Sequence, residues 1–527
     1  MQTVKPFLEK KLLKAGLVVL LLSATGWMLD AQTVSTSLQK VNYNSNSLFC
    51  FNYPSIGLDG QPVVLSAMLA ARDPQKAGGM EPVERVVAGC HITITSDFES
   101  PSGLKDTLIM SDCYMMANIP GTAAHQPLNR SIVIMPDYEG YGVTRDHIHP
   151  YLAQELTARQ VTDALRYGVE LYRQLAAGGS YPPLADNWRT YCLGYSQGGA
   201  AALATQRYIE QAQLSGELHL AGSLCGDGPY DLIGTLRFYI EDDGDSYGVT
   251  TAHRRGRLSM PFVLAMIIKG MQDSHPDMKN HRLTDYFSKQ FLDTGVFEWI
   301  EDKSKERRLQ KTTGDIRRLF YEQAERGLTA ADGTVYTAKQ MQELIVQHSS
   351  KFSLTGRVYD VSIDVRKAIR EELLAYLEDE SHYGNLPEEK GDPFIDLQRA
   401  LYDNSLFHGW VPTHRVMLFH SKHDIVVPYV NCESFVQAMP QDMVNVRVFS
   451  QEDHLEAGTT FFMKITSTSY ASNFNWIDQG PVSGLQTPPA APADGRWYSP
   501  DGRPQTEPGD REGLYLRGGE KVLIRRH

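Results

Sequence analysis

A serine flanked by small residues is the clearest candidate for chemistry in this sequence. The motif Gly194-Tyr195-Ser196-Gln197-Gly198 lies between a strand-like run, TYCLGY, and a helix-forming run, GAAALATQ. A serine in a sharp turn between a strand and a helix needs small neighbours, because the backbone on both sides approaches closely. The N-terminus of the helix also brings partial positive charge to the turn. The pattern therefore predicts that Ser196 is a nucleophile.

A serine hydroxyl needs a histidine to take its proton and a carboxylate to orient that histidine. Asp424 follows the apolar run VMLFHSKH, and His454 follows the run VRVFSQED. Residues that follow the strands of a parallel sheet meet at one edge, so we predict a triad of Ser196, Asp424 and His454. Five nearby residues could take these roles instead: His420, His423, Asp442, Glu452 and Asp453. We prefer Asp424 and His454 because the other five lie within a strand, on the far side of the loop or one step off the predicted position.

Alternating strand-like and helical patterns surround these motifs. The strand-like runs cover residues 63–71, 86–95, 131–136, 191–195, 218–224, 416–420 and 444–449, and residues 155–177 have helical spacing. Strands that alternate with helices indicate a mostly parallel sheet with helices on its faces. The sequence thus predicts an α/β fold.

Together the motifs resemble the α/β-hydrolase fold, and within it the secreted lipase family with a helical cap between the sixth and seventh strands. The resemblance spans roughly residues 63–476. Besides the triad loops it rests on MPDYEGYG at 135–142 and on His149-Pro150-Tyr151. It implies a central sheet with helices on both faces, an inserted cap, and a serine hydrolase that cleaves carboxylic esters through an acyl-enzyme.

The resemblance also implies an oxyanion site made by two backbone N–H groups. One belongs to Gln197, the residue after the nucleophile. We assign the other to Thr93, in the segment CHITIT after the third strand of the fold. This segment lacks the glycine that many family members carry here, so a strand that simply continues is the alternative interpretation.

Residues 237–408 interrupt the alternating pattern and are called the insertion below. Segments 317–326, 338–348 and 366–380 carry apolar residues at helical spacing among charged ones, while PFVLAMIIKGM is almost wholly apolar. Because the flanking strands belong to one sheet, the insertion is predicted to be a helical cap on a core of residues 32–236 and 409–478. Two independent domains in series are the alternative.

The predicted cap would govern access to Ser196. Its apolar segment would supply walls for an acyl chain or form the core of the cap itself. Since both ends of the insertion leave the same sheet edge, we expect the triad to assemble without the cap.

Both ends of the chain differ from the rest. Residues 1–31 combine four lysines, an apolar run and small residues, which is typical of a secretory signal peptide; an uncleaved membrane anchor is the alternative. The signal implies a secreted, periplasmic or cell-surface protein. Residues 479–495 form a linker rich in Pro, Gly and Ala. Residues 496–527 predict a β-hairpin that resembles the sorting motifs of the type IX secretion route, so it would contact export machinery or be a simple terminal hairpin.

Composition excludes several other classes. The 527 residues carry a formal net charge of −12 and are 42% hydrophobic, which argues against a nucleic-acid binder and against a disordered chain. Six cysteines suggest one or two disulfides at most, and none is spaced for zinc or redox chemistry. His147 and His149 are better explained by packing or solvent contact than by a metal. No cofactor or metal ion is implied.

The predicted activity is hydrolysis of a small-molecule or lipid-like ester. A serine exopeptidase and a carbohydrate acyl esterase are the alternatives on the same fold. A non-catalytic binding protein is less consistent with three triad residue types in the right order. The sequence does not indicate an oligomeric state.

Overall fold

The structure is a computed structural model of the chain. It describes residues 39–479 except 44, 78–80, 106–111, 122–129, 242–255, 303–308, 354–355, 383–385, 387–388 and 466–470, together with strands at 497–498, 504–505, 513–517 and 520–524. The predicted signal peptide and the linker from residue 480 onward lie outside the described residues. No helix in the described part of the chain is long and apolar enough to cross a membrane.

A nine-stranded sheet forms the centre of the molecule. Numbered along the chain, its strands are β1 (Gln39–Tyr43), β2 (Asn46–Ile56), β3 (Pro62–Arg72), β4 (Val83–Cys90), β5 (Ser131–Pro136), β6 (Leu184–Tyr195), β7 (Leu220–Gly226), β13 (Arg415–Ser421) and β14 (Val444–Phe449). Their order is β1-β2-β3-β5-β4-β6-β7-β13-β14. All pairs from β5 to β14 are parallel, whereas β1 with β2, β2 with β3 and β3 with β5 are antiparallel pairs.

Helices cover both faces of the sheet, because its strands are apolar on both sides. Adjacent residues of β4 show this: Val86 belongs to the apolar cluster on one face and Val87 to the cluster on the other. Numbered along the chain, the helices outside the insertion are α1 (Pro74–Ala77), α2 (Asp112–Ala117), α3 (Gln154–Ala177), α4 (Gln197–Gln211), α14 (Val430–Ala438), α15 (His454–Ile465) and α16 (Ala471–Ile477), and α5 (Leu232–Ile240) continues from the core into the insertion. Helices α3, α4 and α14 pack on the first face, and α2, α15 and α16 on the second.

The insertion contains strands as well as helices. Its helices are α6 (Pro261–Ser274), α7 (Lys289–Leu292), α8 (Val296–Glu301), α9 (Thr313–Arg326), α10 (Ala338–Leu344), α11 (Val365–Ala368), α12 (Glu371–Glu378) and α13 (Pro393–Asp403). Its strands are β8 (Arg257–Leu258), β9 (Leu328–Thr329), β10 (Val335–Tyr336), β11 (Ile345–Ser353) and β12 (Gly356–Asp364). They form a three-stranded sheet, β11-β12-β8, and a two-stranded sheet, β10-β9.

The prediction of one helix over 338–348 is therefore wrong in its second half. Helix α10 ends at Leu344, and the chain continues as strand β11. The residues at the change are β-branched, and Ile345 pairs with Ile363 of β12. A strand partner that is distant in sequence outweighs the helical spacing.

The insertion has its own apolar cluster, and this cluster extends into the loop after β13. Helix α6 lies within it, with Leu264, Ala265 and Ile268 fully buried. Ile425, Val426 and Val427 from the loop after β13 belong to the same cluster. The insertion and the loop that carries Asp424 thus share one core.

Two further expectations concern cysteines and the C-terminal segment. All six cysteines are buried with free thiols, so the structure contains no disulfide. At the C-terminus, β15 (Trp497–Tyr498), β16 (Pro504–Gln505), β17 (Gly513–Arg517) and β18 (Glu520–Ile524) form a four-stranded sheet. β17 and β18 are an antiparallel pair within this sheet, and the hairpin as a separate C-terminal unit stays a prediction.

Candidate active site

Ser196 occupies the sharp turn between β6 and α4. Its φ of 57° and ψ of −125° lie in a region of backbone conformation that non-glycine residues rarely adopt. This conformation is strained, so contacts with the surrounding structure must stabilise it. Its N–H donates to the carbonyl oxygen of Gly226, the last residue of β7, at 2.8 Å. A Cβ on Gly198 would lie 2.1 Å from the carbonyl oxygen of Cys90, and one on Gly194 would lie 2.2 Å from that of Gly198. Small residues are therefore required on both sides of the serine.

The structure brings together the three predicted triad residues, which are all buried. His454 Nε2 lies 2.9 Å from Ser196 Oγ, and His454 Nδ1 lies 2.5 Å from Asp424 Oδ2. A carboxylate only accepts hydrogen bonds, so Nδ1 carries the hydrogen and the lone pair of Nε2 faces the serine hydroxyl. This tautomer is the one that can take a proton from Ser196.

Asp424 is held as the charged acceptor. Its Oδ1 atom accepts the N–H groups of Val426 and Val427 at 2.8 and 2.9 Å. Burial by itself raises the pKa of Asp424, but the electrostatic interaction and the hydrogen bond with His454 outweigh burial and hold this pKa below its ordinary value. The carboxyl group is therefore ionised at neutral pH.

Two of the rival residues have other partners. His420 lies in β13 and its Nε2 atom is 2.8 Å from the carbonyl oxygen of Val427, while burial lowers the pKa of His420 to about 4. Asp453 accepts the N–H groups of Leu455 and Glu456 at the start of α15. His420 supports the acid loop, and Asp453 caps a helix.

The two assigned oxyanion residues lie on adjoining segments. Gln197 is the first residue of α4, where backbone N–H groups have no partner within the helix. The segment that leads to Thr93 packs against the same turn, because the carbonyl groups of Cys90 and His91 contact Gly198. The hydroxyl of Thr93 lies 2.8 Å from that of Tyr151. The assignment of these backbone groups to an oxyanion site stays a prediction.

The sequence predicted a packing or solvent role for His149 but not its contact with the residue that follows the nucleophile. The Nδ1 atom of His149 lies 2.8 Å from the carbonyl oxygen of Glu139, and its Nε2 atom lies 3.0 Å from Nε2 of Gln197. Because the carbonyl only accepts and the amide nitrogen only donates, Nδ1 of His149 carries the hydrogen. His149 thereby orients the Gln197 side chain next to the nucleophile. His147 instead faces Glu139 Oε1 at 3.1 Å.

A second carboxyl group, Asp227, was also missed. It directly follows β7 at the edge where Asp424 follows β13, and that position was the available signal. It is fully buried, and one ligand atom from each of Asp227, Asp424 and His454 lies within 4.8 Å of the others. Three such atoms could hold a metal ion, but the imidazole nitrogen that faces the carboxyl groups is already bonded to Asp424.

The insertion contacts the core around the triad. The hydroxyl of Tyr239 donates to the carbonyl oxygen of Val426, beside Asp424. The N–H and hydroxyl groups of Thr313 donate to the carboxylate of Glu99, in the segment after β4 that also carries Thr93. Gly270 of α6 lies so close to Tyr151 that a Cβ there would be 2.2 Å from its carbonyl oxygen. The insertion therefore borders both the acid loop and the segment that carries Thr93.

Comparisons with known proteins bear on the fold. No protein-family model matches the sequence, and no curated protein matches it either. Among solved structures, the rice cell wall degrading esterase LipA of Xanthomonas oryzae aligns over 83% of this chain and 93% of its own, with 19% identity and a TM-score of 0.53. A candidate hydrolase of Legionella pneumophila aligns over 85% and 92%, with 17% identity and a TM-score of 0.54. Together with the strand order and the turn at Ser196, these likenesses confirm the predicted architecture: the chain adopts the α/β-hydrolase fold.

Proposed function

We propose that this protein is a serine hydrolase that cleaves carboxylic esters. The observation that carries the proposal is the continuous chain of hydrogen bonds from Ser196 Oγ through His454 to an ionised Asp424. A hydroxyl, a neutral imidazole and a carboxylate in this order are the groups that nucleophilic acyl transfer needs. The fold that this chain shares with an esterase supports an ester as the substrate class.

In the proposed reaction, Ser196 Oγ attacks the ester carbonyl carbon while His454 Nε2 takes the hydroxyl proton. The bond to the alcohol oxygen then breaks, and His454 returns the proton to the leaving alcohol. Water attacks the acyl-enzyme by the reverse sequence, which releases the acid and restores Ser196. Asp424 keeps the tautomer of His454 and stabilises the imidazolium in both halves.

The backbone N–H groups of Gln197 and Thr93 are proposed to bind the developing oxyanion. Loss of one such donor raises the barrier by about 2.7 to 4 kcal/mol in other enzymes. Because backbone N–H groups do the binding, the lack of a glycine near Thr93 is compatible with this role. The hydrogen bond between the hydroxyls of Thr93 and Tyr151 supports a fixed position for this segment.

The insertion is proposed to act as a cap that selects the substrate. Its contacts at Tyr239 and Thr313 join it to the acid loop and to Glu99 in the segment after β4, so we expect an ester to pass its surface. Helix α6 is buried in the apolar cluster of the insertion, so its apolar residues form the core of the cap and do not indicate the acyl group. The N-terminal segment supports export of the protein, and the C-terminal hairpin supports recognition by export machinery.

A fluorophosphonate probe tests the proposal directly, because such probes modify only activated serine nucleophiles. We expect the wild-type protein to be labelled on Ser196 and Ser196→Ala to remain unlabelled. p-Nitrophenyl esters of rising chain length, assayed beside peptide anilides, then separate an esterase from an exopeptidase. An unlabelled wild-type protein would favour a binding function instead.

A further inference from the structure

The Asp227 carboxyl group lies within the polar network around the triad, although the proposed reaction does not use it. Its Oδ2 atom lies 2.5 Å from the Tyr195 hydroxyl, and its Oδ1 atom accepts the N–H group of Ser421 at 2.8 Å. Its own N–H donates to the carbonyl oxygen of Phe419. Both carboxyl oxygens and the main chain of Asp227 are thus fixed by β6 and β13, the strands that precede Ser196 and Asp424.

The Tyr195 hydroxyl has two partners but only one hydrogen. It lies 2.5 Å from Asp227 Oδ2 and 2.7 Å from the carbonyl oxygen of His454. A carbonyl oxygen can only accept, so the phenol hydrogen is required by His454. The contact with Asp227 is then a hydrogen bond only if the carboxyl group itself supplies a hydrogen. The geometry therefore favours Asp227 as a neutral acid that donates to Tyr195.

The charges around Asp227 favour the same state. Two buried carboxyl groups this close do not both ionise readily. Asp424 is the one that ionises, because His454 and two backbone N–H groups stabilise its negative charge. Burial, followed by the charge of Asp424, raises the pKa of Asp227 well above its ordinary value.

His420 and Cys432, two titratable groups beside Asp227, provide no compensating cation at neutral pH. His420 Nδ1 is 3.8 Å away, but burial lowers the pKa of His420 to about 4. Burial raises the pKa of Cys432 to about 12, so its thiol is neutral. The titratable groups that face Asp227 in the described structure are those of Tyr195 (β6), Tyr230 (after β7), His420 (β13), Asp424 (after β13), Cys432 (α14) and His454 (α15).

We propose that Asp227 is a positioning residue for His454 that acts through the Tyr195 hydroxyl. The acid group of Asp227 donates to Tyr195, and Tyr195 donates to the main-chain carbonyl of His454. This chain holds the first residue of α15 so that the imidazole stays between Ser196 and Asp424. It also leaves a single negative charge, that of Asp424, beside the imidazole. The inference rests on the proposed function, because the position of His454 matters only if His454 moves a proton.

Three variants separate this role from a merely structural one. Asp227→Asn keeps a neutral donor toward Tyr195 and an acceptor toward Ser421, so we expect its kcat to stay within about threefold of wild type. Asp227→Ala and Tyr195→Phe each break the chain, and we expect kcat to fall by at least about tenfold with little change in KM. A fourth variant that combines Asp227→Ala with Tyr195→Phe should be no slower than the slower of these two single variants, because both act through one contact.

A second tyrosine of β6 provides the matched control. The Tyr191 hydroxyl donates to the Asp478 carboxylate; Tyr191 lies in the same strand as Tyr195, and Asp478 directly follows α16. We expect Tyr191→Phe and Asp478→Asn to change kcat by less than about twofold. If they lower kcat as far as Tyr195→Phe does, the effect is one of general stability and the proposal is wrong.

The pH profile and an infrared measurement complete the test. The acid limb of kcat/KM should coincide in Asp227→Asn and wild type, because the substitution removes no charge. A displaced acid limb, or a loss in Asp227→Asn as large as in Asp227→Ala, would overturn the proposal. The difference spectrum of wild type minus Asp227→Asn at neutral pH should contain the C=O stretch of a protonated carboxyl group.

The infrared spectrum separates the two proposals. It needs no turnover, so an absent carboxyl band refutes the neutral acid at Asp227 whatever the activity. A wild-type protein that carries the band but neither hydrolyses esters nor reacts with the fluorophosphonate refutes the proposed function, and with it the role of Asp227 in positioning a catalytic His454.

Discussion

Val427 connects Asp424 to the insertion: its N–H lies 2.9 Å from Asp424 Oδ1, and its side chain is buried in the apolar cluster of the insertion. The neighbouring Val426 makes the same two kinds of contact. The loop that holds the proposed acid is therefore packed by the insertion. This packing argues against our sequence-based expectation that the triad assembles without the insertion.

Removal of the insertion should consequently impair the site. Replacement of residues 237–408 by a short Gly/Ser linker exposes the apolar side chains of the acid loop, which favours its rearrangement. We expect fluorophosphonate labelling of Ser196 to slow by at least about tenfold, because a misplaced acid no longer fixes His454. Labelling at the wild-type rate would show that the core positions Asp424 without help from the insertion.

A single substitution tests the same contact in the full chain. Val427→Ala removes two methyl groups that pack against the insertion, and we expect kcat to fall by about tenfold through displacement of Asp424. Val416→Ala in β13 is the matched control, since Val416 is equally an apolar residue of the buried core. It should lower stability by about 1 to 3 kcal/mol and change kcat by less than about twofold. Equal losses of kcat in both variants would contradict the coupling.

The triad assignment predicts large and unequal losses. Ser196→Ala and His454→Ala should each lower ester hydrolysis by at least about 10⁴-fold with the fold intact, since triad members act as a unit. Asp424→Asn should cost about 10³- to 10⁴-fold. Asp442→Asn serves as the control and should be nearly silent. A silent Asp424→Asn beside an essential Asp442 or Asp453 would reassign the acid.

Buried Asp112 predicts a defined pH dependence of stability. Its Oδ2 atom accepts the N–H of Ile92 at 2.7 Å, and burial raises its pKa to about 6. Because the pKa is higher in the folded state, the protonated Asp112 carboxyl group adds to the free energy of unfolding. This contribution is complete below the unfolded-state pKa and is lost as the pH rises through about 6. Asp112→Asn cannot ionise, so the variant should gain about 2 kcal/mol relative to wild type between about pH 4 and pH 8.

Urea unfolding of both proteins across this pH range measures the difference. Any constant offset from the changed hydrogen bond to Ile92 cancels when the two ends of the range are compared. A difference that is flat with pH, or that favours wild type as the pH rises, would show that Asp112 is not the buried acid described here.

The N-terminal segment predicts processing. If residues 1–31 are a signal peptide, the exported protein begins near Gln32, because the small residues before it suit cleavage. N-terminal sequencing of protein recovered outside the cytoplasm checks this expectation. Intact Met1 on that protein would indicate the uncleaved anchor instead.

Local sequence was enough to predict the positions of Ser196, Asp424 and His454. Each directly follows, or lies in the short loop after, an apolar strand, and a parallel sheet carries such residues to one edge. The glycines around Ser196 were equally informative, because their need is steric and local. By contrast, β1 and β2 went unpredicted, since the pairing of β1 with β2 and of β2 with β3 depends on partner strands and not on a pattern within each strand.

The sequence by itself determined which side chains reach the edge of the sheet and which turn presents the serine, because strand, turn and helix preferences act over a few neighbouring residues. Only the tertiary structure decided which of those side chains carries a charge and which segments hold them in place. Asp227 and Asp424 are far apart along the chain, yet their proximity in a dry site favours one charge between them. Likewise Val427 gains its role from the insertion that packs on it. Both effects depend on distance in space and on exclusion of water, which no run of neighbouring residues encodes.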